Sequence, residues 1–439
     1  MRKYILLTIA LIGALLAGPA GAQDIYRNGT GRAAATGPAG EAAPQADPEE
    51  AEFGRRFIHK VGAEARPVFV IPTHPFLRGE NLRGQPIKHS LSAHLKYAFQ
   101  FRPNTYKDLI SGSAYQGVGL SFHKFYYRNR PSDSYVLYLP EKEELGNPVS
   151  FYLFQGARIA QISPKLSLNY EWNFGLSFGW SPYDYFTNEY NRVIGSKVNA
   201  YLNANFYLHY MLSRAIDLTA GVSLAHFSNG STKLPNAGLN TAGLTVGLTY
   251  NFNRENDAYY PTALSGPGFE RHMTYETVLF GAWRKKGVRI GDEHYATPDT
   301  YAVGGISFAA MYNLGYKVRV GGALDGVYDS SANLYAADHI VGTTPDFLRP
   351  SWTKQWAVGI AAQVDYVMPY FTLTLGFGAN VLHGGGELKS FYQKLALKID
   401  LTRNAFLHIG YSLRELKAPN FLMLGVGYRF NTRPQTYRP

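Results

Sequence analysis

The sequence predicts an all-β protein: a transmembrane, antiparallel, up-and-down β-barrel of about 14–16 strands, with two repeated halves. Three observations predict it. Tyr (33), Phe (26) and Gly (45) are abundant, and aromatic residues make up 15% of the chain. Long segments alternate apolar and polar residues with period two. Short polar turns ("SPKLS", "LSRAID", "LTRNA") alternate with longer loops such as residues 127–147 and 329–352. Cysteine is absent, which excludes disulfide scaffolds and thiol nucleophiles.

Residues 1–22, "MRKYILLTIALIGALLAGPAGA", carry basic Arg2 and Lys3, an apolar run and the small residues Ala20-Gly21-Ala22. This reads as a secretory signal peptide, hence export. Residues 23–65 are rich in Ala, Gly, Pro and Glu and lack periodicity, reading as a disordered periplasmic lead-in. The clearest strand spans Leu166 to Trp180. Leu166, Leu168, Tyr170, Trp172, Phe174, Leu176, Phe178 and Trp180 share one face, with Ser167, Asn169, Glu171, Asn173 and Ser177 on the other. A soluble sheet would also alternate, but its strands are usually about 5–6 residues, whereas about 9–11 cross a bilayer. Val198 to Tyr210 repeats the pattern. Trp172 and Trp180 are expected against lipid, and His209 and His408 free in the lumen.

"LSRAIDLTAGVSLAHFSN" from Leu212 resembles "LTRNAFLHIGYSLRELKA" from Leu401, and each precedes a closing strand. Residues 66–253 and 272–430 therefore form two halves of about eight strands each, joined by a linker at 254–271 and followed by a tail at 431–439. One large barrel is the expectation, with two tandem eight-stranded barrels the alternative. The net charge of +11 is scattered rather than gathered in a run, so in an exported chain its partner is an anionic lipid surface and not nucleic acid.

Polar residues break the pattern at one place. Ile216, Leu218, Ala220, Val222 and Leu224 share the outward face, and His226 and Ser228 continue it. On the following strand Asn240 shares the parity of outward Ala242, Leu244 and Val246. Residues two apart on one face lie roughly 6.5–7 Å apart, close enough for an imidazole to reach a hydroxyl. A histidine that accepts the serine proton makes the oxygen a nucleophile, and Asn240 could orient the ring as a neutral third group. The bland reading is that these residues mark the head-group boundary.

"HFSN" at His226–Asn229, Pro235-Asn236 and a polar residue at 240 resemble the lipid A 3-O-deacylase family of PagL type. The resemblance covers about residues 88–253 and is concentrated between His226 and Asn240. It implies an outer-membrane barrel with a lipid-facing Ser-His-Glu triad: Ser228 as nucleophile, His226 as base, Asn229 and Asn236 in support, with Asn229 or nearby backbone N–H groups the candidates for holding the oxyanion. The family's acid falls on position 240, which here is Asn240. In the second half Glu415 and Lys417 stand where His226 and Ser228 stand, so that half has the scaffold without the pair.

The expected function is a serine esterase of the outer membrane that removes a fatty acyl chain from the lipid A of lipopolysaccharide. Neither cofactor nor metal is implied. The alternatives are a channel, whose 16 strands would enclose a wide lumen, and a catalytically inactive structural barrel.

Overall fold

The computed structural model describes residues 57–81, 83–103, 105–127, 144–252, 254, 268–290, 293–337, 345–389, 391–415 and 418–431. The expected signal peptide, residues 23–56 of the lead-in, most of the linker and residues 432–439 of the tail lie outside these.

Sixteen long strands close two barrels instead of one. The first contains β1 (Phe57–Val70), β2 (His89–Phe101), β3 (Tyr115–Tyr126), β4 (Gly146–Ser163), β5 (Leu166–Trp180), β6 (Val198–Met211), β7 (Ile216–Ser228) and β8 (Leu239–Phe252). The second contains β9 (His272–Arg284), β12 (Tyr301–Asn313), β13 (Val318–Asp329), β16 (Trp356–Met368), β17 (Phe371–His383), β18 (Phe391–Asp400), β19 (Ala405–Arg414) and β20 (Ala418–Asn431). Two small hairpins, β10 (Gly287–Ile290) with β11 (Glu293–Ala296) and β14 (Tyr335–Ala337) with β15 (Asp346–Leu348), decorate the second barrel's long loops. The single-barrel expectation fails on strand pairing: β8 returns to β1, as Tyr250 opposite Val61, and β20 returns to β9, as Gly427 opposite Val278. Alternation fixes which face of a strand is buried and says nothing of which strand completes the ring.

Every barrel pair is antiparallel, and outside the bulges successive side chains alternate between lumen and outer wall. Among the described residues no helix is long and apolar enough to cross a membrane. The crossing elements are strands, with Val61, Leu95, Val118, Val222, Leu244, Leu279 and Ile360 exposed on the outside. β1 begins at Phe57, earlier than the expected start near residue 66. Its lumen face carries Lys60, Glu64 and Arg66, and these inward charges hid the alternation that the sequence otherwise shows.

The lumen of barrel one is filled. Lys96 Nζ bridges Glu64 and Glu171 at 2.6 Å each, and Arg66 pairs with Glu64 at 2.5 Å. Toward the long loops the lumen is packed by Phe227, Tyr201, Trp180, Phe125, Tyr152 and His123. Toward the short turns it opens into a cavity of about 270 Å³ that reaches Lys60, Asp108, Glu171 and Asp217. Barrel two centres on Glu276, which accepts Lys398 at 2.5 Å, Arg429 at 2.8 Å and Arg319 at 3.3 Å. An eight-stranded barrel is just wide enough for side chains to fill it, so the wide lumen of a 16-stranded channel is not formed.

The barrels stand side by side with their short turns at the same end. Trp172 on the outer wall of β5 meets Phe371 edge-on at 5.2 Å, and the Tyr170 and Tyr366 hydroxyls lie 3.3 Å apart. Trp172 is therefore covered by protein, not lipid. Trp180 also departs from expectation: Gly179, at φ +85°, turns it into the lumen, where Nε1 donates to Ser177 Oγ at 2.9 Å. His209 faces the lumen as expected but is paired, with Nε2 3.0 Å from Asp217 Oδ2. His408 is buried beside the charged centre of barrel two.

Candidate active site

β7 reads "IDLTAGVSLAHFS" and contains no proline, so all its N–H groups are free to pair with β6 and β8. It ends where Asn229-Gly230-Ser231 begins, because Gly230 and Ser231 adopt φ of +63° and +66° and leave the extended region. β8 starts just after Gly238, at φ +77°. Within the last turn of β7 the lumen-facing Phe227 is 1% exposed and stacks on Tyr201 at 5.2 Å, with Trp180 at 4.9 Å and His123 at 5.2 Å. This plug anchors the strand end from inside. A buried aromatic of this size contributes on the order of 2–3 kcal/mol.

With Phe227 locked inward, His226 and Ser228 must point outward. His226 stands directly opposite Asn240 on β8 and Leu202 on β6, and Ser228 opposite Ala200. His226 Nδ1 lies 2.8 Å from Asn240 Oδ1. Oδ1 can only accept, so Nδ1 carries the proton and Nε2 keeps its lone pair. Gly238 covers the ring edge: a Cβ there would lie 2.8 Å from His226 Cε1 and 3.5 Å from Nε2. Asn240 is itself fixed, since its carbonyl accepts from Ile71 N at 2.9 Å, tying β8 to the loop after β1. Among the described residues no carboxylate bonds His226, and its ring is not bonded to Ser228 Oγ. Contacts of this kind tighten when substrate binds.

Asn229 and Asn236 meet within the β7–β8 loop. Asn229 N donates to Asn236 Oδ1 at 3.2 Å, and Asn229 Nδ2 donates to the Lys233 carbonyl at 2.9 Å. Their side chains hold the loop closed. The loop then leans on the connection between β5 and β6, where Ala237 N donates to Arg192 O and Gly238 N to Val193 O, each at 3.1 Å. Sequence reasoning missed Gly238, Phe227 and this β5–β6 support. A glycine two residues before a polar outward residue was the available signal.

Two further Ser-His pairs occupy barrel one. Ser92 Oγ lies 3.0 Å from His94 Nε2, and Ser121 Oγ lies 2.8 Å from His123 Nε2. All four residues are buried in the filled lumen, so these better-made hydrogen bonds have no access to a substrate.

Fold and wall-mounted polar residues together define an outer-membrane β-barrel. Comparison with known families then names the kind. A model described as lipid A 3-O-deacylase (PagL) matches residues 154–249, and one described as acyloxyacyl hydrolase, C-terminal domain, matches residues 273–432. The two models match separate parts of the chain, which is thereby similar to the PagL-type lipid A deacylases, hydrolases of the outer membrane. The first match takes in β5–β8 and with them His226, Ser228 and Asn240; the second takes in almost the whole of barrel two. Comparison with the curated proteins finds no match. Among solved structures, the crystal structure of the outer membrane enzyme PagL is 14% identical, covering 43% of this chain and 97% of that one at a TM-score of 0.27. Neisserial surface protein A is 13% identical, covering 45% and 96% at a TM-score of 0.26.

Proposed function

We propose that barrel one is a serine esterase that removes an ester-linked fatty acyl chain from lipid A, with Ser228 as nucleophile, His226 as general base and Asn240 as the ring's orienter. The observation that carries this reading is the His226–Asn240 hydrogen bond, which leaves Nε2 as the free base on the same outward face as Ser228. Ser228 Oγ attacks the ester carbonyl while His226 Nε2 takes its proton. The tetrahedral intermediate collapses, the proton passes to the sugar oxygen, and the acyl chain stays on Ser228. Water, deprotonated by the same nitrogen, then releases the fatty acid. Asn229 and Asn236 contribute by holding the loop that follows the nucleophile.

The position suits the substrate. The site lies on the outer wall at the long-loop end, where a lipid's ester linkages meet its acyl region, so the bond reaches Ser228 by lateral diffusion. Mass spectrometry of lipid A from cells producing the protein, set against Ser228→Ala, tests the proposal. Loss of one acyl chain in the first and not the second supports it; identical lipid A in both, from folded barrels, overturns it.

A further inference from the structure

Barrel two supplies none of the groups above, yet it touches the loop that follows the nucleophile. Gly230 is two residues beyond Ser228. A Cβ on it would lie 2.9 Å from Cγ and Cδ2 of Leu422, which is on the outer wall of β20. Lys285, one residue past the end of β9, donates its backbone N–H to the Ser231 carbonyl at 2.9 Å. Further along, Leu234 Cδ1 comes within 3.9 Å of where a Cβ on Gly287 would stand.

These contacts are separate from the interface near the short turns, where Tyr170, Trp172, Tyr366 and Phe371 already join the barrels. They also fall where the backbone most needs support. Ser231 is a side-chain-bearing residue held at φ +66°, a conformation that persists only where the surroundings over-determine it. Barrel one grips the far side of the same loop through Arg192 and Val193. The loop is thus clamped between its own barrel and the neighbouring one.

We infer that barrel two is a brace for the active site: Leu422 and the Lys285 backbone hold Gly230 and Ser231, and through them position Ser228 for attack. The inference rests on the reading of Ser228 as nucleophile. Leu422 and Lys285 are positioning residues, since neither bonds the reacting atoms. The brace gives the second barrel a function that its missing Ser-His pair leaves unfilled.

The test uses the full-length protein in outer-membrane vesicles. Leu422→Ala is expected to lower both the rate at which a fluorophosphonate probe labels Ser228 and the kcat on lipid A by about tenfold, with KM unchanged. Leu422→Met restores both, and heat-modifiable gel mobility stays that of the parent. Because the chain has no cysteine, a Ser231→Cys, Lys285→Cys variant also reports the contact directly. A short bifunctional thiol reagent should join the two positions in intact vesicles. Labelling unaffected by Leu422→Ala, or no cross-link, overturns the brace. A parent protein whose Ser228 labels in a Leu422-dependent way but leaves lipid A intact keeps the brace and sinks the substrate assignment.

Discussion

The two barrels share strand number, antiparallel order and an ion-paired lumen, and they differ at the end beneath the long loops. In barrel one β7 and β8 stay paired up to Phe227 opposite Leu239, and a loop of residues 229–238 follows. In barrel two the matching strands β19 and β20 stop at Arg414 opposite Ala418. Glu415, the counterpart of His226, has already left the strand at φ +52°. Beneath the loops, barrel one packs aromatic rings, while barrel two pairs Arg284 with Asp329 at 3.3 Å and Lys286 with Glu387 at 2.6 Å. A site on a barrel wall therefore takes more than the barrel. It needs extra paired residues to carry the side chains and an apolar plug to fix which way they point.

The largest expected effect tests whether barrel two holds any hidden chemistry. Ser228→Ala should lower deacylation at least about 10³-fold, to the level of vesicles without the protein, because the second barrel has no such pair among its described residues. Residual activity above that level, measured as released fatty acid, would mean that the second barrel hydrolyses as well.

Stability should show the opposite ranking. Glu276 balances three cations in barrel two, whereas Glu171 in barrel one balances Lys96 and accepts from Tyr115 at 3.1 Å. Removing one member of a buried charge cluster strands the others, at about 3–5 kcal/mol. Glu276→Gln should therefore lower the urea midpoint of its barrel more than Glu171→Gln lowers that of the first. Tryptophan emission can follow both, and equal shifts would remove the distinction between the lumens.

A smaller change should sharpen the site itself. Asn240 orients His226 but carries no charge to steady the imidazolium that forms in the reaction. Asn240→Glu is expected to raise kcat about tenfold. An unchanged or lower kcat, with the barrel intact, would show that the neutral orienter is already the fitted partner here.

Much of this was legible in the sequence because period-two alternation is a local signal. The faces of β5–β8, the outward parity of His226, Ser228 and Asn240, the strand total and the repeat could all be read directly. What escaped depends on contacts distant in sequence. Closure into two rings is decided by β8 choosing β1 over β9. The start of β1 was masked by Lys60, Glu64 and Arg66, polar residues that reach Gln100, Lys96 and Asn203 on other strands. Trp172 looks lipid-facing by parity, and only the second barrel, some two hundred residues on, makes it an interface residue. Trp180 left its predicted face because Gly179 adopts a conformation that parity counting cannot anticipate.

The smallest effect concerns the loop that links barrel one's outer rim to its site. Asp184 Oδ1 accepts from Thr187 N at 2.9 Å, Thr187 Oγ1 at 2.9 Å and Phe186 N at 3.0 Å. Those bonds, the Thr187 backbone first, hold its carboxyl below the ordinary value of 3.8 although it is exposed. A carboxylate depressed in the folded loop stabilises it above the unfolded value, and that support fades as pH falls below about 3.8 toward the folded pKa. The loop runs on to Arg192 and Val193, which hold Ala237 and Gly238, and Gly238 covers His226. Acidification should thus speed amide exchange at Phe186 and Thr187 first, beyond the intrinsic pH dependence, with Ala237 and Gly238 following. Asp184→Asn should remove the pH step while leaving the slow exchange of the strands untouched. If Ala237 and Gly238 loosen without Phe186 and Thr187, the Asp184 turn does not carry support to the site loop.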